Sequence, residues 1–86
     1  MTKLQAEIII ALADNQINVT KTANKLFMHR TSVAYHIRQI RKNTGKNPMD
    51  FYDMCELLPI AREKLDGISA RTRNALNLLG INSHGA

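Results

Sequence analysis

Ala23-Asn24-Lys25-Leu26-Phe27-Met28-His29-Arg30-Thr31-Ser32-Val33-Ala34-Tyr35-His36-Ile37 is the stretch on which the fold turns. Its apolar residues keep helical spacing on both sides of a short interruption. Asn18 can cap a short helix over about 19–26, from which Ala23 and Leu26 face inward. Phe27-Met28-His29 forms a turn, and a further helix runs from about Arg30 to Asn43. Two helices that cross closely need a small residue at the crossing, which Ala23 supplies, while Leu26, Met28 and Val33 fall where the pair must lock together. His29 stands where a polar residue should start the helix after the turn, and its ring nitrogen would cap less well than a Ser or Thr hydroxyl. The spacing fits a helix-turn-helix at about residues 18–44.

On a wheel of 100° per residue, Val33, Ile37 and Ile40 form one narrow stripe that must face a core. The opposite face carries Thr31, Tyr35, Arg38 and Lys42, side chains that hydrogen-bond or carry positive charge. Ser32, His36 and Gln39 flank this face on one shoulder, Ala34 and Arg41 on the other. Such a face suits the major groove of duplex DNA. Charge follows the same boundary. Residues 18–46 hold Lys21, Lys25, Arg30, Arg38, Arg41, Lys42 and Lys46 and no acid, whereas residues 47–66 hold five acids and two bases. Lys21, Lys25 and Lys42 are therefore expected on phosphates, and Arg30, Thr31, Tyr35 and Arg38 on base edges.

The same run resembles the C-terminal DNA-binding domain of PucR-type and sugar-diacid-type transcriptional regulators. The features that match are the small residue, Leu-Phe-aliphatic-His-Arg, a Thr/Ser, an aliphatic residue and a Tyr two positions later. The resemblance spans about residues 1–65. It implies a helix-turn-helix that binds promoter DNA, a unit that in that family follows a sensor domain. Here the first helix opens at Met1, and no sensor domain stands ahead of the motif in this sequence. A basic residue usually follows the Tyr in that family; this chain has His36, which leaves the base preference open. A second, shorter resemblance covers residues 69–81, Ser69-Ala70-Arg71-Thr72-Arg73-Asn74-Ala75-Leu76-Asn77-Leu78-Leu79-Gly80-Ile81. This stretch looks like the first helix of the C-terminal domain of the RNA polymerase alpha subunit. That resemblance implies DNA contacts for Arg71 and Asn74; on the residues alone, a capped packing helix with two solvated arginines is the simpler reading. Together with Ser32 and Gln39 they are secondary candidates.

Outward from this core, Leu4, Ile8, Ala11 and Leu12 mark an amphipathic helix over 2–13. Ile9 and Ile10 either widen its apolar face or contact a partner. Asp14-Asn15-Gln16 is turn-prone. Gly45 stands where a helix end calls for positive φ. Asn47-Pro48-Met49-Asp50 reads as a start signal, with Asn47 as cap and Pro48 in the first helical position, for a helix over about 48–65. Phe51, Met54, Cys55, Leu58, Ala61 and Leu65 keep its inward spacing. Pro59 interrupts that spacing and predicts a kink or break. Ser69 caps a fifth helix over 69–79 that Gly80 ends, and residues 82–86 read as a frayed tail. The expected architecture is all-α, a five-helix bundle in one domain over 1–81.

Composition bounds the alternatives. The chain has 86 residues, 12 Lys+Arg against 7 Asp+Glu, and a net charge of +5, which points to an anionic partner. The longest apolar run, Ile8 to Ala13, is far below the ~18 residues of a membrane span, so no membrane partner is expected. A lone cysteine, Cys55, cannot form an intramolecular disulfide and fits the reducing cytoplasm; on the inward stripe it reads as a small buried hydrophobe. His29 and His36 lack a third ligand at useful spacing, so no metal or cofactor is expected. Asp50 and Asp53 could pair as acid and base, but fit better as complements of a helix dipole. No phosphate loop or nucleophile motif argues for an enzyme. The leading reading is sequence-specific binding of double-stranded DNA in transcriptional control, as a homodimer, with Ile60, Leu65, Leu76, Leu79 and Ile81 as the expected contact, the alternative being that these residues only close the monomer's core. The alternatives are a helical protein-interaction module whose basic face is incidental, and an RNA-binding module, which the scarcity of aromatic platforms disfavours.

Overall fold

Helix α1 (Lys3–Asp14) is buried around more of its circumference than any other element. The computed structural model describes residues 1–66, in which α1 is followed by α2 (Val19–Lys25), α3 (Arg30–Thr44) and α4 (Phe51–Asp66), with no strand among the described residues. The all-α class holds. The fifth helix expected at 69–79, the tail at 82–86, and with them Arg71 and Asn74, lie outside the described residues. Helix α1 packs on α4 on one side and on the α2–α3 pair on the other. Ile8, Ile9 and Leu12 are fully buried and Ile10 is half-buried against them, so the run of three isoleucines widens the apolar face. Leu4, expected on the inward stripe, is instead 39% exposed, and Gln5 takes the buried position. The polar end of Gln5 is satisfied by a capping box: the Thr2 hydroxyl accepts from the Gln5 N–H and Gln5 Oε1 accepts from the Thr2 N–H, both at 3.1 Å.

Both short-helix junctions close in the same way. After α1 the Ile17 N–H donates to the Leu12 carbonyl at 2.8 Å and the Gln16 N–H to Ala13 at 3.3 Å. After α2 the Met28 N–H donates to Ala23 at 2.9 Å and the Phe27 N–H to Asn24 at 3.3 Å. This paired closure is the Schellman motif, which needs a left-handed residue just beyond the helix. Gln16, Ile17 and Phe27 adopt φ of 58, 57 and 55°, unusual values for residues that carry a Cβ and most of all for β-branched Ile17. Ile17 is half-buried against the core, which compensates. Gly45, at φ 72°, ends α3 as expected.

Helix α4 departs from the sequence reading at its start, its seating and its proline. Its cap is Asp50, whose Oδ1 accepts from the Asp53 N–H at 3.1 Å, and not Asn47. Asn47 instead builds a turn ahead of the helix, accepting from the Met49 N–H through its side chain and from the Asp50 N–H through its carbonyl. Pro48 is buried in that turn rather than opening the helix. The buried face is Met54, Leu57 and Ala61. Phe51 is 65% exposed and Cys55 is also exposed, which corrects their placement inward. With Ala13, Ile17 and Leu58 they line an open cavity of about 510 Å³. The pattern over 51–65 contains two overlapping apolar stripes. The one holding small Ala61 seats against α1, whose own Ala6 is fully buried. Helix α4 runs on through Pro59, so the expected break does not occur. The carbonyl deprived of its N–H partner belongs to Cys55, on the exposed side, where solvent can satisfy it.

This seating predicts a contrast. Leu57→Ala should cost about 2–5 kcal/mol in urea denaturation, as for a large side chain removed from a closed core. Cys55→Ala should change stability by less than about 0.5 kcal/mol. The reverse order would mean that α4 is rotated by one residue.

Candidate nucleic-acid interface

The interface is built on α3. Val33, Ile37 and Ile40 bury one stripe of it against the core, which turns the opposite stripe to solvent. Thr31, Tyr35, Arg38 and Lys42 lie on that outer stripe and are all exposed, with Tyr35 at 51%. Arg30, the first residue of the helix, and Ser32 are exposed as well, while Gln39 is half-buried on the shoulder. Tyr35 and His36 meet edge to face, ring centroids 5.4 Å apart. That contact braces the ring from one side while about half of the residue stays open to solvent. His36 Nδ1 is buried without a hydrogen-bond partner among the described residues. The ring therefore belongs partly to the packed shoulder and only partly to the outer face.

Helix α2 stands beside α3 with Lys21 and Lys25 exposed. Asn18 caps it, as the sequence indicates: its Oδ1 accepts from the Lys21 N–H at 2.9 Å. Thr22 is fully buried, and its hydroxyl donates to the Asn18 carbonyl at 2.8 Å, so this polar group enters the core satisfied. Ala23, the small residue expected at the crossing, is buried, and of the residues expected to lock the pair Val33 is fully buried and Leu26 and Met28 are half-buried against the core. His29 is the N-cap of α3 by backbone conformation, but its side chain makes no capping bond. The first turn of α3 also lacks an acid, so its positive end is uncompensated by the protein.

The electrostatics of this face differ by one residue from a count of its bases. Lys46 Nζ donates to Glu56 Oε2 at 2.7 Å. That bond, and then the charge of the same carboxylate, raise the Lys46 pKa above the ordinary lysine value. The preference for the charged form is present at neutral pH and is lost as pH rises through the raised pKa. Lys46 thus links the segment just after α3 to α4. The other six bases of residues 18–46 have no acid partner among the described residues. Asp50 and Asp53 are occupied by the turn before α4: Asp50 caps the helix, and Asp53 Oδ2 accepts from the Asn47 N–H at 2.9 Å. Asn24 on α2 and Phe27 in the turn that follows are also exposed, and neither is among the binding candidates of the sequence analysis. The signal for Phe27 was its aromatic character at a turn position.

The sequence pattern of the PucR C-terminal helix-turn-helix domain matches residues 5–58, which takes in α1, α2, α3 and the first half of α4. Among curated proteins and solved structures, none matches the chain. The matched region holds most of the packed unit on which the outer face of α3 depends, and the chain belongs to the PucR C-terminal helix-turn-helix domain family.

Proposed function

We propose that this domain binds double-stranded DNA in a sequence-specific way and serves transcriptional regulation, without catalysis. The observation that carries the reading is the acid-free outer surface of α2 and α3. Six bases there lack acid partners among the described residues, on the two helices that form the helix-turn-helix. In this reading α3 enters the major groove. Arg30, Thr31, Tyr35 and Arg38 meet base edges, with Ser32 and Gln39 beside them, and Lys21, Lys25 and Lys42 anchor the domain on phosphates. Membership of the family supports DNA as the partner. No helix of the described residues is long and apolar enough to cross a membrane.

Selection of bound sequences from a random duplex pool tests the reading directly: an enriched motif is expected, and an unenriched pool would refute specificity. Duplex affinity should fall with salt, with log K against log salt at a slope of roughly −4 to −6 for five to seven phosphate contacts. A flat profile between low and moderate salt would exclude phosphate anchoring.

Reading and anchoring should separate by mutation. Tyr35→Ala should erode the preference for the selected duplex over a random one by about 1–3 kcal/mol. Lys21→Ala should weaken both alike and flatten the salt slope by about one unit. Neither should alter helical content, whereas Val33→Ala, at a fully buried position, should cost about 1–3 kcal/mol of stability. Loss of the fold in Tyr35→Ala would move that residue into the core.

A homodimer is the further part of the proposal. One helix-turn-helix covers a short half-site, and two-fold pairing doubles it at a spacing near one DNA turn. Of the residues expected at that contact, Ile60 is 49% exposed on α4, Leu65 is half-buried against the core, and Leu76, Leu79 and Ile81 lie outside the described residues. Sedimentation should show dimers; a monomer at ~100 μM, well above a useful affinity of ~1 μM, would refute it.

A further inference from the structure

Phe27 carries a large apolar side chain that the protein itself does not use. It is 97% exposed, more than any other large hydrophobic residue described, and it stacks on no other ring among the described residues. Its backbone is in the left-handed region at φ 55° because the closure of α2 demands it there. Glycine adopts that conformation freely, and Asn or Asp tolerate it, whereas a bulky side chain is strained in it. The position therefore combines the least suitable backbone for an aromatic residue with no burial to offset the strain. An outlier of this kind points to a role outside the folded core.

The surroundings of Phe27 define what it would meet. It lies in the turn between the two helices of the motif, two residues after exposed Lys25 and three before exposed Arg30. No acid occurs from residue 18 to residue 46. Its partner is thus polyanionic in overall charge yet offers apolar surface, a description that fits the deoxyribose edge of a DNA strand. We propose that Phe27 packs its ring against the sugar backbone at the rim of the groove that α3 enters, adding apolar contact to the charged ones. The inference rests on the DNA-binding reading above. A phenyl ring has no hydrogen-bonding group, so the contact adds affinity without reading sequence, and it carries no charge to change the salt slope.

The test uses the full chain with Phe27→Gly, Phe27→Ala and Phe27→Tyr, measured by fluorescence anisotropy on the selected and a random duplex, with urea midpoints alongside. Phe27→Gly should bind both duplexes about tenfold more weakly, as expected for apolar area no longer buried on DNA. It should keep the wild-type salt slope and unfold at higher urea, because the backbone strain is relieved. Phe27→Ala should lose the same affinity without the gain in stability, and Phe27→Tyr should bind as the wild type does. Wild-type affinity in Phe27→Gly would overturn the proposal and reassign the ring to a protein partner. Weakening on the selected duplex alone would overturn the sugar contact in favour of a base. A lower urea midpoint in Phe27→Gly would make the ring structural and overturn it too. If the wild-type protein binds neither duplex, the DNA reading fails and this proposal fails with it; if it binds both and Phe27→Gly does likewise, this proposal alone is lost.

Discussion

Everything in this domain depends on α1 being covered from two sides. Its buried residues, from Gln5 to Leu12, span well over half of the helix circumference, far more than one facing helix can cover. The α2–α3 pair takes one part of that surface and α4 the other. Neither would be stable alone: α2 has seven residues, too few to persist in water without tertiary support. Burial of Ile8, Ile9 and Leu12 is thus the constraint that holds the outer face of α3 in a defined direction. A core of this size leaves a narrow margin, which explains how much of the remaining hydrogen bonding is spent on helix ends.

Those ends illustrate a division of labour. The Thr2–Gln5 capping box, Asn18 and Asp50 satisfy N–H groups at three helix starts, and each of these residues lies outside the basic surface or presents backbone-directed oxygen only. Helix α3 is the exception, with no side-chain cap and no acid in its first turn. In the proposed DNA-binding reading, stability and ligand binding pull in opposite directions there: a capping Asp would strengthen the helix but place negative charge against an incoming phosphate. The bare start of α3 and the strained turn just before it are both features that stability alone would not favour.

Charge is sorted by helix in a similar way. The acids of residues 47–66 sit on the turn and helix that pack behind α1, and the ion pair of Lys46 with Glu56 marks the boundary where the two fields meet. Both partners of that pair are substantially exposed, so it contributes little to stability. The six remaining bases of residues 18–46, on α2 and α3, have no acid partner among the described residues.

Much of this was legible in the residues themselves. The α2–turn–α3 unit could be read from Ala23 to Ile37 because its signals are local: cap, turn, small crossing residue and a stripe whose period admits one rotation of the helix. The Thr2-x-x-Gln5 capping box was equally legible and was missed. Helix α4 was legible only in part, because its apolar residues form two overlapping stripes: the sequence pattern places Met54 and Ala61 inward correctly, but adds exposed Phe51 and Cys55 and leaves out Leu57. Only the surface offered by α1 chooses between them, and it chose the stripe that carries small Ala61. Pro59 likewise reads as a break in isolation, yet in the packed domain its missing donor falls on the solvent side and the helix continues. The exposure of Phe27 was decided in the same way: the sequence shows an aromatic residue at a turn, and only the left-handed closure of α2 directs it out of the core. Local chemistry thus determined where α2 and α3 begin and which face of α3 is polar, whereas the start and rotation of α4 and the direction of the turn required the opposing surfaces, since burial is a property of a pair.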